Sequence, residues 1–236
     1  MTTNLLVFGA PRSGTSLLAG MLGAHPDIAM AHEDTGEGWT HIVGKPIRGV
    51  KLVTPNQIEH THALSCRLRR YRHRLARYGV QNLGLNWTRF KLQSIYAIRD
   101  FQTCPNSRIL AIVRDPQESV ESIRRRGKNP RSVAEYRWAR ALEVIAAVQA
   151  ETPALVRVVY YDNLVTEPET TMRRCLDWLE LPYSDRVIQG RTPNYDLAAI
   201  DASKAGGRGT NREAHAIFRK HPDLFEAFGN VVRTAF

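Results

Sequence analysis

No run in this chain of 236 residues is long and apolar enough to form a transmembrane helix. Only Met1 to Asn4 precede the first apolar run, which leaves no room for a separate leader, so a cytoplasmic protein is the expectation. Cysteine is scarce. Cys66, Cys104 and Cys175 are widely spaced, without metal-type pairing, and read as buried or incidental thiols of a reducing compartment. There is no acidic ligand cluster either, so no metal is expected. Repeats, low-complexity tracts and Pro/Gly-rich linkers are missing too, which makes residues 1–236 one domain. Acid is short relative to base: 23 Asp and Glu stand against 33 Lys and Arg, a net charge of +10. That surplus favours anionic partners, whether a charged donor, an acidic acceptor, nucleic acid or a membrane surface, without choosing among them.

What is present begins with Leu5 to Ala24, LLVFGAPRSGTSLLAGMLGA. Leu5-Leu6-Val7-Phe8 has the length of a fully buried strand. The run breaks at Gly9, and a helical period resumes from Ser16 through Leu22. Strand, glycine-bounded loop and helix form the layout in which backbone N–H groups and a helix N-terminus face an anion. The spacing Gly9-x-x-x-x-Gly14 matches a nucleoside triphosphate loop except at one place. Where that motif needs a lysine for the β- and γ-phosphates, this chain has Thr15, and its cation sits inside the loop at Arg12.

The run Pro11-Arg12-Ser13-Gly14-Thr15-Ser16 resembles the donor loop of sulfotransferases that use 3′-phosphoadenosine 5′-phosphosulfate. The longer stretch GAPRSGTSLLAGMLGAHPDIAMAHED is similar to the opening of tyrosylprotein sulfotransferases and their bacterial relatives. The resemblance implies an α/β fold of the P-loop type, three layers with a central, mostly parallel sheet flanked by helices. It implies that Pro11 to Ser16 hold the 5′-phosphosulfate. It also pairs Arg12 with a downstream catalytic glutamate, which falls on Glu33. His32 is the rival base, since other sulfotransferases use a histidine. Pro26 ends the first helix, Ile28 to Ala31 form a second strand, and the polar group His32-Glu33-Asp34 follows at its end.

Gly49 to Val53 reads as another strand with Lys51 inside it. A lysine there needs a sheet edge or an anionic partner; the resemblance makes it a catalytic candidate that touches sulfonate or acceptor. Arg108 to Val113 is a strand ending in Arg114, and Pro116 suits the first turn of the helix after it. In the resembled family an arginine at a strand end and a serine eight residues on bind the donor's 3′-phosphate; Arg114 and Ser122 have that spacing. Arg124, Arg125, Arg126 and Lys128 crowd the end of the same helix, where they complement its dipole.

Ser132 to Ala150 reads as an amphipathic core helix and Ala154 to Tyr161 as a central strand. A helix through Leu179 follows the segment Asp162 to Glu169, which resembles a block of the same superfamily and makes Tyr161 a candidate neighbour of the adenine. Arginines dominate residues 64–78 around one apolar stripe, and Asn86 to Lys91 mix aromatics with cations that suit an acceptor wall. Lys204 and Arg208, in a glycine-rich tail, are candidate cations for the nucleotide, and a last helix runs about Ala214 to Phe228.

The expected chemistry is sulfonate transfer from 3′-phosphoadenosine 5′-phosphosulfate to an acceptor hydroxyl, leaving 3′-phosphoadenosine 5′-phosphate, without a metal or nucleic acid. The acceptor class stays open among carbohydrate, lipid, small phenol and tyrosine. Two other classes fit parts of the pattern: a P-loop kinase, against which the missing lysine counts, and a non-catalytic nucleotide- or nucleic-acid-binding module that uses the basic stretch at 64–78.

Overall fold

The computed structural model describes residues 2–34, 38–63, 96–127, 129–189, 191–192, 195–196 and 216–236. The basic stretch at 64–78, the mixed segment 86–91, Cys66, Lys128, Lys204 and Arg208 lie outside the described residues.

Five parallel strands build the main sheet: β1 (Thr3–Gly9), β2 (Ile28–His32), β3 (Ile47–Val53), β6 (Ser107–Val113) and β7 (Val156–Tyr160). Two further strands, β4 (Ile58–Glu59) and β5 (Tyr96–Ala97), pair with each other. The order across the main sheet is β2-β3-β1-β6-β7. The apolar run of β1 has the reason its composition suggested, since both of its faces are covered. Leu5 and Val7 join one core cluster with α1 (Thr15–Gly23), while Leu6 and Phe8 join the other with α4 (Arg131–Glu151). All four are fully buried, so the strand shows no alternation of polar and apolar residues.

Around the sheet lie α2 (Ile98–Thr103), α3 (Pro116–Gly127), α5 (Tyr161–Thr166), α6 (Pro168–Trp178), α7 (Arg186–Gln189), α8 (Ala216–Lys220) and α9 (Pro222–Arg233). Trp138 of α4 centres one layer, with its ring centroid 5.9 Å from that of Phe218 and 5.7 Å from that of Phe228. Its indole N–H donates to the Arg114 carbonyl at 3.0 Å and so ties that core to the end of β6. In the opposite layer Cys175 is fully buried, and burial pushes its thiol up to about 12, which makes it inert; Cys104 is exposed.

Three expectations need correction. Among the described residues, the strand after Ala154 lies at an edge of the sheet, with β6 as its one partner strand. It reads as central because Val156 and Val158 face one core cluster and Val159 the other. Its outer side is met by the Phe236 N–H, which donates to the Val158 carbonyl at 2.9 Å. Tyr161 belongs to the following helix rather than to the strand. The segment before the helix expected through Leu179 itself holds the short α5, set off from α6 at Glu167 before Pro168, and the helix expected about Ala214 to Phe228 is divided at His221 before Pro222, with φ of −131° at Glu167 and −135° at His221. A proline disfavours the α region in the residue before it, and both breaks follow that rule.

Candidate active site at the carboxyl edge of the sheet

Because the five strands are parallel, their carboxyl ends share one edge, and each strand delivers a candidate residue there. β1 and β6 are neighbours whose connections leave in opposite directions, toward β2 and β7, which creates the crevice where open α/β sheets bind ligands.

The β1 loop is held by close backbone contacts. A Cβ on Gly9 would stand 2.4 Å from the Ile112 carbonyl oxygen, so only glycine lets β1 end against β6 there. Gly14, at φ 98°, caps α1 without a side-chain hydrogen bond, leaving first-turn N–H groups for an anion. Ser13 turns inward, donating its hydroxyl to the Ala10 carbonyl at 2.8 Å, and Thr15 is buried beside it. The Ser13 hydroxyl thus braces the loop. Pro11 and Ser16 are half-buried, and Arg12 is exposed at φ 69°.

Arg12 meets the residues that follow β6. Its Nε donates to the Ser122 hydroxyl at 3.2 Å, and Arg114 directs one guanidinium nitrogen toward the Arg12 carbonyl at 3.5 Å. The other terminal nitrogen of Arg114 lies 3.3 Å from Glu118. Its guanidinium carbon sits 4.2 Å from the centre of the Tyr161 ring, which itself packs where a Gly14 Cβ would point. Ser122 therefore stands beside Arg12, with Arg114 reached through the loop backbone. Asp115 explains the Arg-Asp-Pro sequence locally, because its carboxylate accepts the Glu118 N–H at 3.0 Å and caps α3 ahead of Pro116. At the far end of α3, Arg124 pairs with Glu121, and Arg125 and Arg126 are exposed.

The other half of the site joins β2 to β3. Lys51 is 2 % exposed on an interior strand, and its ammonium donates to Glu33 Oε1 at 2.5 Å. The anionic-partner reading of Lys51 holds, and the edge reading falls. Glu33 adopts φ 56°, a conformation uncommon outside glycine and a form of strain concentrated at functional sites. Its backbone N–H donates to the Lys51 carbonyl at 2.9 Å. Burial alone would raise the Glu33 pKa, but hydrogen bonds and charge from Lys51, helped by Gln57 and His32, outweigh it and hold the carboxyl below its ordinary value. His32 pairs with Lys51 across the strands, and burial followed by the Lys51 charge lowers its pKa. Near neutral pH the site thus presents an ionised Glu33 and an uncharged His32. Either group can take a proton. Gln57, whose amide donates to Glu33 Oε2 at 3.1 Å, had no signal in the sequence because only the turn after β3 brings it there. Among the described residues no group of His, Cys, Asp and Glu is arranged to hold a metal ion.

Residues 4–185 match a protein-family model described as the sulfotransferase family. The chain belongs to the sulfotransferase family. The chain is 26% identical over 221 residues to protein-tyrosine sulfotransferase 1 of Danio rerio, covering 84% of this chain and 60% of that protein. It is 28% identical over 208 residues to the protein-tyrosine sulfotransferase of Drosophila melanogaster, covering 78% of this chain and 39% of the other. It therefore spans less than two thirds of the length of these relatives. Among solved structures, the sulfotransferase domain from the curacin biosynthetic pathway superposes with a TM-score of 0.60 at 15% identity, covering 97% of this chain and 98% of that one. The sulfotransferase domain of the Synechococcus PCC 7002 olefin synthase gives 0.57 at 16%, covering 97% and 95%. At such identities the likeness establishes the shared α/β fold.

Proposed function

We propose that this protein transfers a sulfonate group from 3′-phosphoadenosine 5′-phosphosulfate to an acceptor hydroxyl. The observation that carries the reading is the convergence of Arg12, Ser122 and Arg114 on one side of the β1 loop, with Glu33 and Lys51 on the other side of the same sheet edge. Two anionic groups of one donor need two cationic stations, and the places of Arg12 and Arg114 beside the β1–β6 crevice support that reading. The loop N–H groups, the N-terminus of α1 and Arg12 suit the 5′-phosphosulfate. Arg114, held over Tyr161 with its planar fork, suits the 3′-phosphate.

In the reaction the acceptor oxygen attacks sulfur in line with the leaving phosphate oxygen. The new O–S bond forms as the old one breaks, and the acceptor's proton passes to Glu33. Arg12 and Lys51 offset the charge that builds on the leaving phosphate and the equatorial sulfonate oxygens. Positioning and electrostatics thus supply the rate, without a covalent intermediate. Glu33 rather than His32 takes the proton because its carboxylate is fixed by Lys51 and Gln57, whereas no hydrogen bond fixes the His32 ring among those described. A tyrosine acceptor is one candidate, since the relatives named above are protein-tyrosine sulfotransferases.

The test is transfer of radiolabelled sulfonate to a panel of phenols, sugars and tyrosine peptides by wild type and Arg12→Ala. Label transfer that Arg12→Ala abolishes supports the reading. Near-normal turnover in the variant overturns the assignment of Arg12, and Mg²⁺-dependent phosphate transfer from ATP would replace the reading with a kinase.

A further inference from the structure

The turn after β3 is held more firmly than a turn that only connects two elements requires. Arg137 of α4, 4 % exposed, donates to the Asn56 side-chain carbonyl at 2.6 Å. Arg140 grips Glu59 Oε2 with two nitrogens at 2.8 and 3.1 Å, and Glu59 is 1 % exposed. Between these two anchors stands Gln57, with every polar group engaged. Its backbone N–H donates to the Val53 carbonyl at 2.8 Å, and its carbonyl accepts from the Tyr96 N–H at 3.2 Å. Its side-chain Oε1 accepts the Val53 N–H at 2.9 Å.

That last contact fixes the amide's orientation chemically. A backbone N–H must face the oxygen, so the NH₂ group is turned the other way, toward Glu33 Oε2 at 3.1 Å. Lys51 occupies the other carboxylate oxygen at 2.5 Å. Each oxygen of a side chain that is 54 % exposed is therefore held by a different donor, which sets the plane of the carboxylate and not only its position.

We infer that Gln57 is a positioning residue for the transfer reaction, orienting Glu33 toward the acceptor hydroxyl through its side-chain N–H. The inference rests on the reading of Glu33 as the base. In this role Gln57 acts through the base, by its contact with Glu33.

Two substitutions separate this role from plain anchoring of the turn. Gln57→Glu keeps an oxygen for the Val53 N–H but replaces the donor facing Glu33 with a second carboxylate oxygen. Gln57→Met removes both contacts. The first readout is independent of turnover: carboxyl ¹³C NMR titration of Glu33 in glutamate-labelled protein, assigned with Glu33→Gln. A hydrogen bond to the ionised form lowers a carboxyl pKa, so its removal raises the Glu33 midpoint in both variants. The rise is larger in Gln57→Glu, where like charges face each other. The second readout is the pH profile of sulfonate transfer from 3′-phosphoadenosine 5′-phosphosulfate to 4-nitrophenol. There kcat falls on the order of ten- to a hundredfold, as for a misplaced catalytic group. KM for the donor is unchanged, and the acid limb moves up with the Glu33 midpoint. An unmoved Glu33 midpoint in Gln57→Glu, with only thermal stability lost in Gln57→Met, overturns the inference and makes Gln57 a turn anchor. A midpoint that moves while the acid limb does not follow overturns Glu33 as base, leaving the Gln57 contact standing without a catalytic purpose.

Discussion

The pair formed by Lys51 and Glu33 is lopsided: the lysine is 2 % exposed and the glutamate side chain 54 %. That asymmetry makes unequal predictions for the two substitutions. In Lys51→Met the thioether fills the volume of the lysine stem, and the orphaned carboxylate keeps Gln57 and reaches solvent. The loss is then that of an exposed ion pair, about 0–1 kcal/mol. In Glu33→Ala the ammonium stays buried without its carboxylate, and breaking a buried pair from one side costs about 3–5 kcal/mol. Solvent at the sheet edge lowers that figure, so about 2–4 kcal/mol is expected. For a domain of this size each kcal/mol moves Tm by about 2–4 °C, giving a drop on the order of 10 °C against a few degrees at most. Calorimetric unfolding at neutral pH of both single variants and the double variant reads the difference. The double variant should recover to about the level of Lys51→Met, because the buried charge is gone. Both single variants should lose sulfonate transfer. If Lys51→Met proves the more damaging for stability, the buried lysine is held by its packing and the charge argument fails.

Gly14→Ala should destabilise the fold and weaken nucleotide binding together, since its Cβ would stand 2.5 Å from a Tyr161 ring carbon at a backbone φ of 98°. Left-handed strain costs about 1–2 kcal/mol and overpacking about 1–3 kcal/mol, and chemical denaturation beside calorimetric titration checks both effects. Arg114→Lys should bind 3′-phosphoadenosine 5′-phosphate about ten- to a hundredfold more weakly, the loss of one charged hydrogen bond, while ATP binding changes little. Stability should respond to pH in two steps. Both His32 and Glu33 have lowered pKa values, so the folded state takes up protons less readily than the unfolded chain. Stability is therefore full above the ordinary histidine value of 6.5 and declines as pH falls below it; a second decline begins below the ordinary carboxyl value of 4.5. Urea midpoints across pH 3–8 test this, and His32→Gln should erase the upper step.

The first three strands, the loop between β1 and α1 and the Arg114 strand were legible because each rests on a local signal. A buried parallel strand is a continuous apolar run, a phosphate loop is bounded by glycines, and a proline one residue past an aspartate marks a helix start. What escaped depends on partners distant in sequence. Nothing in Val156 to Tyr160 says which strand lies beside it, so an edge strand covered on both faces reads as a central one. Lys51 left two readings open until β2 and β1 were seen on either side of it. Ser122 could be matched to Arg114 by spacing, yet the hydroxyl is met by Arg12, which arrives from a loop 110 residues earlier. Gln57 sits in a turn whose shape is set by Arg137 and Arg140 from α4, and nothing within the turn itself announces it.

The proposed reaction requires the crevice between β1 and β6 to hold one donor by two of its anions. Calorimetric titration of the protein with 3′-phosphoadenosine 5′-phosphate, beside ATP and 5′-AMP and without metal, tests it most directly. Tight binding that requires the 3′-phosphate and is lost in Arg114→Ala is expected. Equal or tighter binding of ATP, or binding indifferent to Arg114, would contradict it.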